Sequence, residues 1–364
     1  MSPAAGARNL LHTCAKARVG QSLLLAVEPA SLGYFDAAVV DCVAQEAREL
    51  GLHVRRVDVG FEPEAPRLTK ALLEQMQLAD IVVFFARLGD QLRFCEMPAG
   101  KTIITCFAAT IEQLGSGFGT GDHRGMKAIK EAVDQALTRA HEVRLTCPNG
   151  TDVRGMPQMD GVETSVTRFP LSVFAPIPAG GFSGRVAMAG FLTGTGSRYY
   201  APYHIDLDGP LFAHLKDGRL TGFEGAARDV AQADAHYDRV AKRYGLDRNA
   251  VHSWHAGIHP GCGFPWEMAD HPERWGGTAF GNPRIAHFHT CGAEAPGEIS
   301  WNVIDPTITL DGVPVWQDGT FHADLLPGGA DILAAYPDIA AMVARPDRAI
   351  GVGVPALNAM GVGL

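Results

Sequence analysis

The chain has 364 residues, of which 46% are hydrophobic and 20% charged, with a formal net charge of -9. That length exceeds one ordinary core and predicts two domains, while the composition is that of a soluble globular protein. Net acidity without a basic run excludes nucleic acid as the expected partner, and no apolar run approaches the ~20 residues of a membrane span.

The amino-terminal stretch MSPAAGARNLLHTCAKARVGQ has no continuous apolar core behind its basic residues, which argues against a secretory signal. Strands and helices then alternate from residue 20 to 145. Gln21–Val27 is an apolar strand, and Ala37–Leu50 has helical periodicity stopped by Gly51. Leu52–Val59 alternates like a strand, Leu68–Gln77 reads as a helix, and Ile81–Ala86 is a buried-strand run. Lys101–Phe107 is a further strand and Arg124–Ala140 an amphipathic helix. Such alternation predicts a parallel sheet covered by helices, a Rossmann-like βα domain over residues 1–145. Between those last two elements, Gly115–Gly121 (GSGFGTG) lacks a following Lys-Ser/Thr and does not sit in the first strand-to-helix turn. It reads as a flexible connection, not a phosphate cradle.

Beyond Cys147-Pro148-Asn149-Gly150 the texture changes to short strands and turns. Val186–Leu192, His204–Leu207, Arg219–Phe223 and Ile308–Leu310 predict a mostly antiparallel sheet, interrupted by one helix over Ala226–Tyr244 that ends at Gly245. Asp217-Gly218, Asp311-Gly312 and Asp318-Gly319 are hairpin signals. The expected architecture is therefore α/β, with an α+β catalytic domain over 146–364. Seven cysteines with no CxxC pair predict reduced thiols and a cytoplasmic location.

Between His252 and His322 lie seven of the fourteen histidines and all five tryptophans. Imidazole is the commonest transition-metal ligand, so this window is the candidate site. Gly257 and Pro260 oppose a helix, but in an extended segment His255 and His259 share a face, and so do His287 and His289. A carboxylate from Glu267, Glu294, Glu298 or Asp305 would complete a two-histidine-one-carboxylate set suited to non-haem iron. Three protein ligands and a water would instead suit zinc. Tyr199, Tyr200, Tyr203 and His204 read as strand packing, and Cys291 as a small buried hydrophobe.

Four stretches, Cys147–Asp152, Gly184–Phe223, Trp254–Pro260 and Gly281–Phe321, resemble the superfamily of aminopeptidase T (peptidase family M29) and 2,5-dihydroxypyridine 5,6-dioxygenase. The resemblance implies a metal enzyme and matches His255 to the first iron ligand of the dioxygenase branch. The later His-x-Asp of that branch is absent, its place taken by Glu298-Ile299-Ser300 or Ser300-Trp301-Asn302. With the residues above, it leads to a mononuclear-metal enzyme opening or modifying a small polar, heteroaromatic ring. His255, His287 and Glu298 would hold Fe(II), His259 and His289 would serve as catalytic imidazoles, and Trp254 or Trp301 would stack on the ring. The alternative is a hydrolase of a small amide or activated N-heterocycle, using metal-bound or histidine-activated water without oxygen, with zinc or no metal in place of iron. A degenerate ligand-binding protein is the third reading. The expected partners are a small-molecule substrate and further copies of the chain in a homo-oligomer, with no nucleic acid and no membrane.

Overall fold

A computed structural model describes residues 2–63, 66–93, 95–159, 164–194, 199–292 and 297–353. His53–Asp58, Ser22–Val27, Ile81–Phe85, Thr102–Cys106 and Thr167–Phe169 lie side by side in that order as a five-stranded, all-parallel sheet. Ile81–Phe85 is buried at every position, as a parallel strand covered on both faces must be. Helices Ala37–Glu49 and Lys70–Gln77 supply crossings, Arg87–Gln91 lies in a third, and His123–Arg139 carries the chain out of this sheet. Thr69 starts the second of these by accepting the Leu72 N–H at its side chain, and Gly51 ends the first at φ 76°. The fifth strand, Thr167–Phe169, lies beyond residue 145. The chain leaves this sheet, lays down Val143–Thr146 and Asp152–Gly155 elsewhere, and then returns.

Those two strands belong to an eight-stranded antiparallel sheet. Its order is Arg219–Gly225, Leu211–Lys216, Phe182–Ala187, Asp152–Gly155, Val143–Thr146, Thr307–Leu310, Val313–Gln317 and Thr320–Phe321. A six-stranded antiparallel sheet runs His204–Asp206, Phe191–Thr193, Ile299–Ile304, Ile285–Thr290, Val251–Ala256, Ile177–Pro178. The α/β class with a parallel first half and antiparallel second half is thus the observed one. All three Asp-Gly pairs turn hairpins with both residues at positive φ (48° and 72° at Asp217-Gly218), the backbone of a type I′ turn. Helix Ala227–Tyr244 ends on Gly245 at φ 68°.

Two expectations are corrected here. Val186–Leu192 is not one strand: the chain crosses from the eight-stranded to the six-stranded sheet between Ala187 and Phe191, turning through Gly190 at φ 92°. Gly115–Gly121 is not a flexible connection. It folds into the ends of two short helices, Ile111–Gly115 and Gly117–Thr120, and a Cβ on Gly119 would stand 2.1 Å from the Leu114 carbonyl oxygen. Close packing of backbone on backbone is what the glycine permits. No helix among the described residues is long and apolar enough to cross a membrane.

The largest core gathers one face of the six-stranded sheet, with Trp254, Phe288 and Trp301, together with Phe182, Tyr237 and Trp316. That leaves the opposite face of the same three central strands for other work.

Candidate metal centre

Strand parity decides what that opposite face carries. Val251–Ala256, Ile285–Thr290 and Ile299–Ile304 are neighbours, with His255 paired to His287, Ser253 to His289, His287 to Asn302 and His289 to Ser300. Paired residues in a ladder point the same way and successive residues alternate. One face therefore holds His255, His287, His289, Ser300 and Asn302, all buried. The other holds Trp254, Phe288 and Trp301.

One ligand atom from each of His255, His287 and His289 falls within 4.8 Å of the others. The Nε2 atoms of His255 and His289 are 3.0 Å apart. His255 Nδ1 faces the Phe174 carbonyl oxygen at 3.2 Å, and His289 Nδ1 contacts the Glu298 carboxylate. A carbonyl and a carboxylate only accept, so each Nδ1 carries a proton, and in neutral rings each Nε2 then presents a lone pair. Two lone pairs then face each other at 3.0 Å. A proton between them would relieve the pair but leave His287 Nδ1 buried and unpartnered. One metal ion can serve all three rings. Ligand bonds of about 2.0–2.1 Å at angles between octahedral and tetrahedral separate neighbouring nitrogens by roughly 3 Å, so the observed spacing fits such an ion. Burial holds His255 well below its ordinary near-neutral pKa, with His289 adding to the effect. His287 is lowered by burial and then by His255. Both rings are thus neutral and ready to coordinate.

The other candidate residues are dispersed by the fold. Glu298 stands behind His289 as its hydrogen-bond acceptor and is outside the group of converging ligand atoms, whereas His289, expected as a catalytic imidazole, is inside it. Glu267 is exposed at the start of a 3₁₀ turn, Asp305 pairs with Arg284 at 2.6 Å, and Glu294 lies outside the described residues. His259 is not brought to the cluster. The strand stops at Ala256, and the next residue, Gly257, lies against Asn282, whose carbonyl oxygen a Cβ would approach to 2.3 Å. The His259 ring packs on Phe118, with centroids 5.2 Å apart, and its Nδ1 accepts the Gly261 N–H at 3.2 Å. Trp254 and Trp301 are core residues on the wrong face to stack on a substrate, and Trp301 donates its indole N–H to Tyr237. Tyr199, Tyr200, Tyr203 and Cys291 are buried in packing.

Three participants had no signal in the sequence strong enough to single them out. Phe280 stacks on His287 at 3.9 Å with planes 19° apart. The Phe174 carbonyl orients His255, and Arg168 lies close enough to act electrostatically on both His255 and His287.

No protein-family model and no curated protein sequence matches the chain. Among solved structures, wild-type AmpT from Thermus thermophilus aligns with 88% of this chain and 98% of its own, with TM-score 0.48 and 12% identity. The 2,5-dihydroxypyridine dioxygenase from Pseudomonas putida KT2440 aligns with 91% of this chain and 99% of its own, at TM-score 0.59 and 16% identity. The chain therefore has the fold of the pyridine dioxygenase structure, the fold that the sequence resemblance implies.

Proposed function

We propose that the chain is a mononuclear-metal enzyme acting on a small polar ring, with His255, His287 and His289 as the protein ligands. The observation that carries this reading is the convergence of three buried imidazoles, with two Nε2 atoms held 3.0 Å apart and the Nδ1 of the third unpartnered. Three neutral imidazoles suit iron or zinc and leave coordination positions open. Iron(II), the favoured ion, supplies redox chemistry with oxygen, whereas zinc supplies Lewis acidity toward water or a carbonyl.

The chain's own residues prepare the site. The Phe174 carbonyl and the Glu298 carboxylate fix ring orientation and tautomer from behind, a role that also strengthens the donor nitrogen. Ser300 Oγ donates to Asn302 Oδ1 at 3.0 Å, which sets the amide so that Nδ2 is the free donor. That Nδ2 is buried and unpartnered. It is placed to donate to an oxygen substituent of a ring lying on the histidine face. Phe280 covers His287 and keeps water from that side. The resemblance puts either Glu298-Ile299-Ser300 or Ser300-Trp301-Asn302 at the place of the missing His-x-Asp, and Ser300 and Asn302 pair directly with His289 and His287. Nitrogen ligands on the adjacent strand would thus stand in for those lost from this one.

A second reading, hydrolysis, is favoured by the same all-nitrogen donor set, which is also that of zinc sites that activate water. The discriminating measurement is metal stoichiometry together with turnover of dihydroxylated pyridines and small cyclic amides, with and without oxygen. Iron with oxygen-dependent turnover supports the first reading. Zinc with undiminished anaerobic turnover replaces it with the second, and a well-folded, active, metal-free protein overturns the metal centre and leaves hydrolysis by histidine-activated water.

Glu298→Gln separates a carboxylate behind the ligand from a carboxylate on the metal. The amide oxygen can still accept from His289, so the fold and a bound metal should survive, with affinity reduced about 10–100-fold by chelator competition. A loss as large as that of His255→Ala would place Glu298 among the ligands.

A further inference from the structure

The carboxyl ends of the parallel strands form a narrow cleft lined by Tyr34, Arg87, Asp90, Thr105 and Phe107, the edge at which sheets of this kind receive ligands. Two arginines at this edge differ. Arg87 is fully engaged, bonded to Glu28 at 2.5 Å and to Glu273. Arg168, in the strand Thr167–Phe169, lies flat on Phe107, its guanidinium carbon 3.6 Å from the ring centroid. Its polar contact among the described residues is Asp90 at 3.9 Å, too long for a hydrogen bond, and Asp90 is shared with Arg93 at 3.5 Å. Two guanidinium groups thus meet one carboxylate. The Arg168 side chain retains 26% of its exposure, yet its surroundings desolvate it enough to lower its pKa. An accessible cation in dense surroundings lies in a cleft, not on an open surface. Its N–H donors, with no protein acceptor at hydrogen-bond distance among the described residues, remain open to an incoming acceptor.

We propose that Arg168, stacked on Phe107, receives the carboxylate of an anionic ring substrate whose reacting part lies on the His255–His287–His289 face. This rests on the reading of that face as the reaction centre. A planar fork held flat on an aromatic ring matches a carboxylate with two parallel hydrogen bonds, a geometry lysine cannot supply. Arg168 is near enough to act electrostatically on both His255 and His287, so the anion site and the histidine face are neighbours.

The test is calorimetric titration of 4-hydroxybenzoate and its uncharged analogue 4-hydroxybenzamide into metal-loaded and metal-free protein. Charged hydrogen bonds predict roughly 10–100-fold preference for the acid. The preference should persist without metal, vanish in Arg168→Gln and survive in part in Arg168→Lys, with unchanged metal content in both variants. Equal binding of acid and amide, no binding of either, or a preference that Arg168→Gln retains overturns the proposal. If the metal-free protein shows the Arg168-dependent preference but no metal can be loaded, the anion site stands and the metal centre falls.

Discussion

His255→Ala is expected to give a folded protein that no longer keeps its metal. In the folded chain this imidazole sits in the middle of the cluster, 4.2 Å from the His287 centroid and 5.0 Å from that of His289. Its removal relieves one of the two opposed lone pairs, so the metal-free protein loses packing without losing a favourable polar contact between the rings. The bound ion is affected far more. If three nitrogens share a binding free energy on the order of 10 kcal/mol, each contributes about 3 kcal/mol, and its loss lowers affinity by roughly 100-fold. Dialysis against a weak chelator followed by elemental analysis reads this directly, and turnover should fall in step. Trp254→Phe is the matched control. It lies one residue away on the opposite face, so it should cost stability on the order of 1–3 kcal/mol through lost packing and leave metal content unchanged. A His255→Ala protein with one metal per chain and normal turnover would remove the histidine cluster from the mechanism.

How far the site can be read from sequence depends on which physical rule each residue obeys. The pattern His287-Phe288-His289 states its own geometry, because a strand alternates faces and both imidazoles must share one. The same rule places Trp254 opposite His255, so its exclusion from the histidine face was already legible. That Trp301 falls on the Trp254 side needed the register, in which His287 pairs with Asn302 and His289 with Ser300. His259 obeys the alternation only while the strand lasts, and the strand ends at Ala256, next to a glycine packed on Asn282 far along the chain. Glu298 is a ligand-type residue close in sequence, yet composition cannot say whether a carboxylate touches the ion or the ring behind it. Arg168 was invisible for a topological reason. It lies past the expected boundary at 145, in a strand that returns to the first sheet, and nothing in Thr167-Arg168-Phe169 announces a parallel pairing with Thr102–Cys106. The gross architecture was more accessible, since uninterrupted apolar runs such as Ile81–Phe85 and paired Asp-Gly turns follow from backbone chemistry within a few residues.

Acid should destabilise this protein steeply, beginning near pH 6.5. Outside the cluster, His123, His236 and His259 are buried, and burial lowers their pKa values to about 4, about 4 and about 3. Lys127 beside His123 and Arg239 beside His236 push in the same direction. Above pH 6.5 these rings are neutral in folded and unfolded chains alike, so they impose no pH dependence. Below it the unfolded chain takes up protons that the folded chain refuses, and stability falls by about 1.4 kcal/mol per pH unit for each histidine until its folded value is reached. Three such groups together remove roughly 4 kcal/mol per unit, against a total of about 5–15 kcal/mol for a typical domain. Unfolding between about pH 4 and 5 follows, with urea stability flat from pH 7 to 8 and declining below. The depressed pKa values of His255 and His287 act with the same sign in the metal-free protein. A bound ion stabilises the folded state and should move the acid limb to lower pH. His236→Gln tests the bookkeeping, since in the metal-loaded protein it should remove about a third of the slope these three histidines give between pH 6 and 5. A urea midpoint that stays constant down to pH 5 would mean that these imidazoles are not held neutral, and with that the argument from burial would fail for the cluster as well.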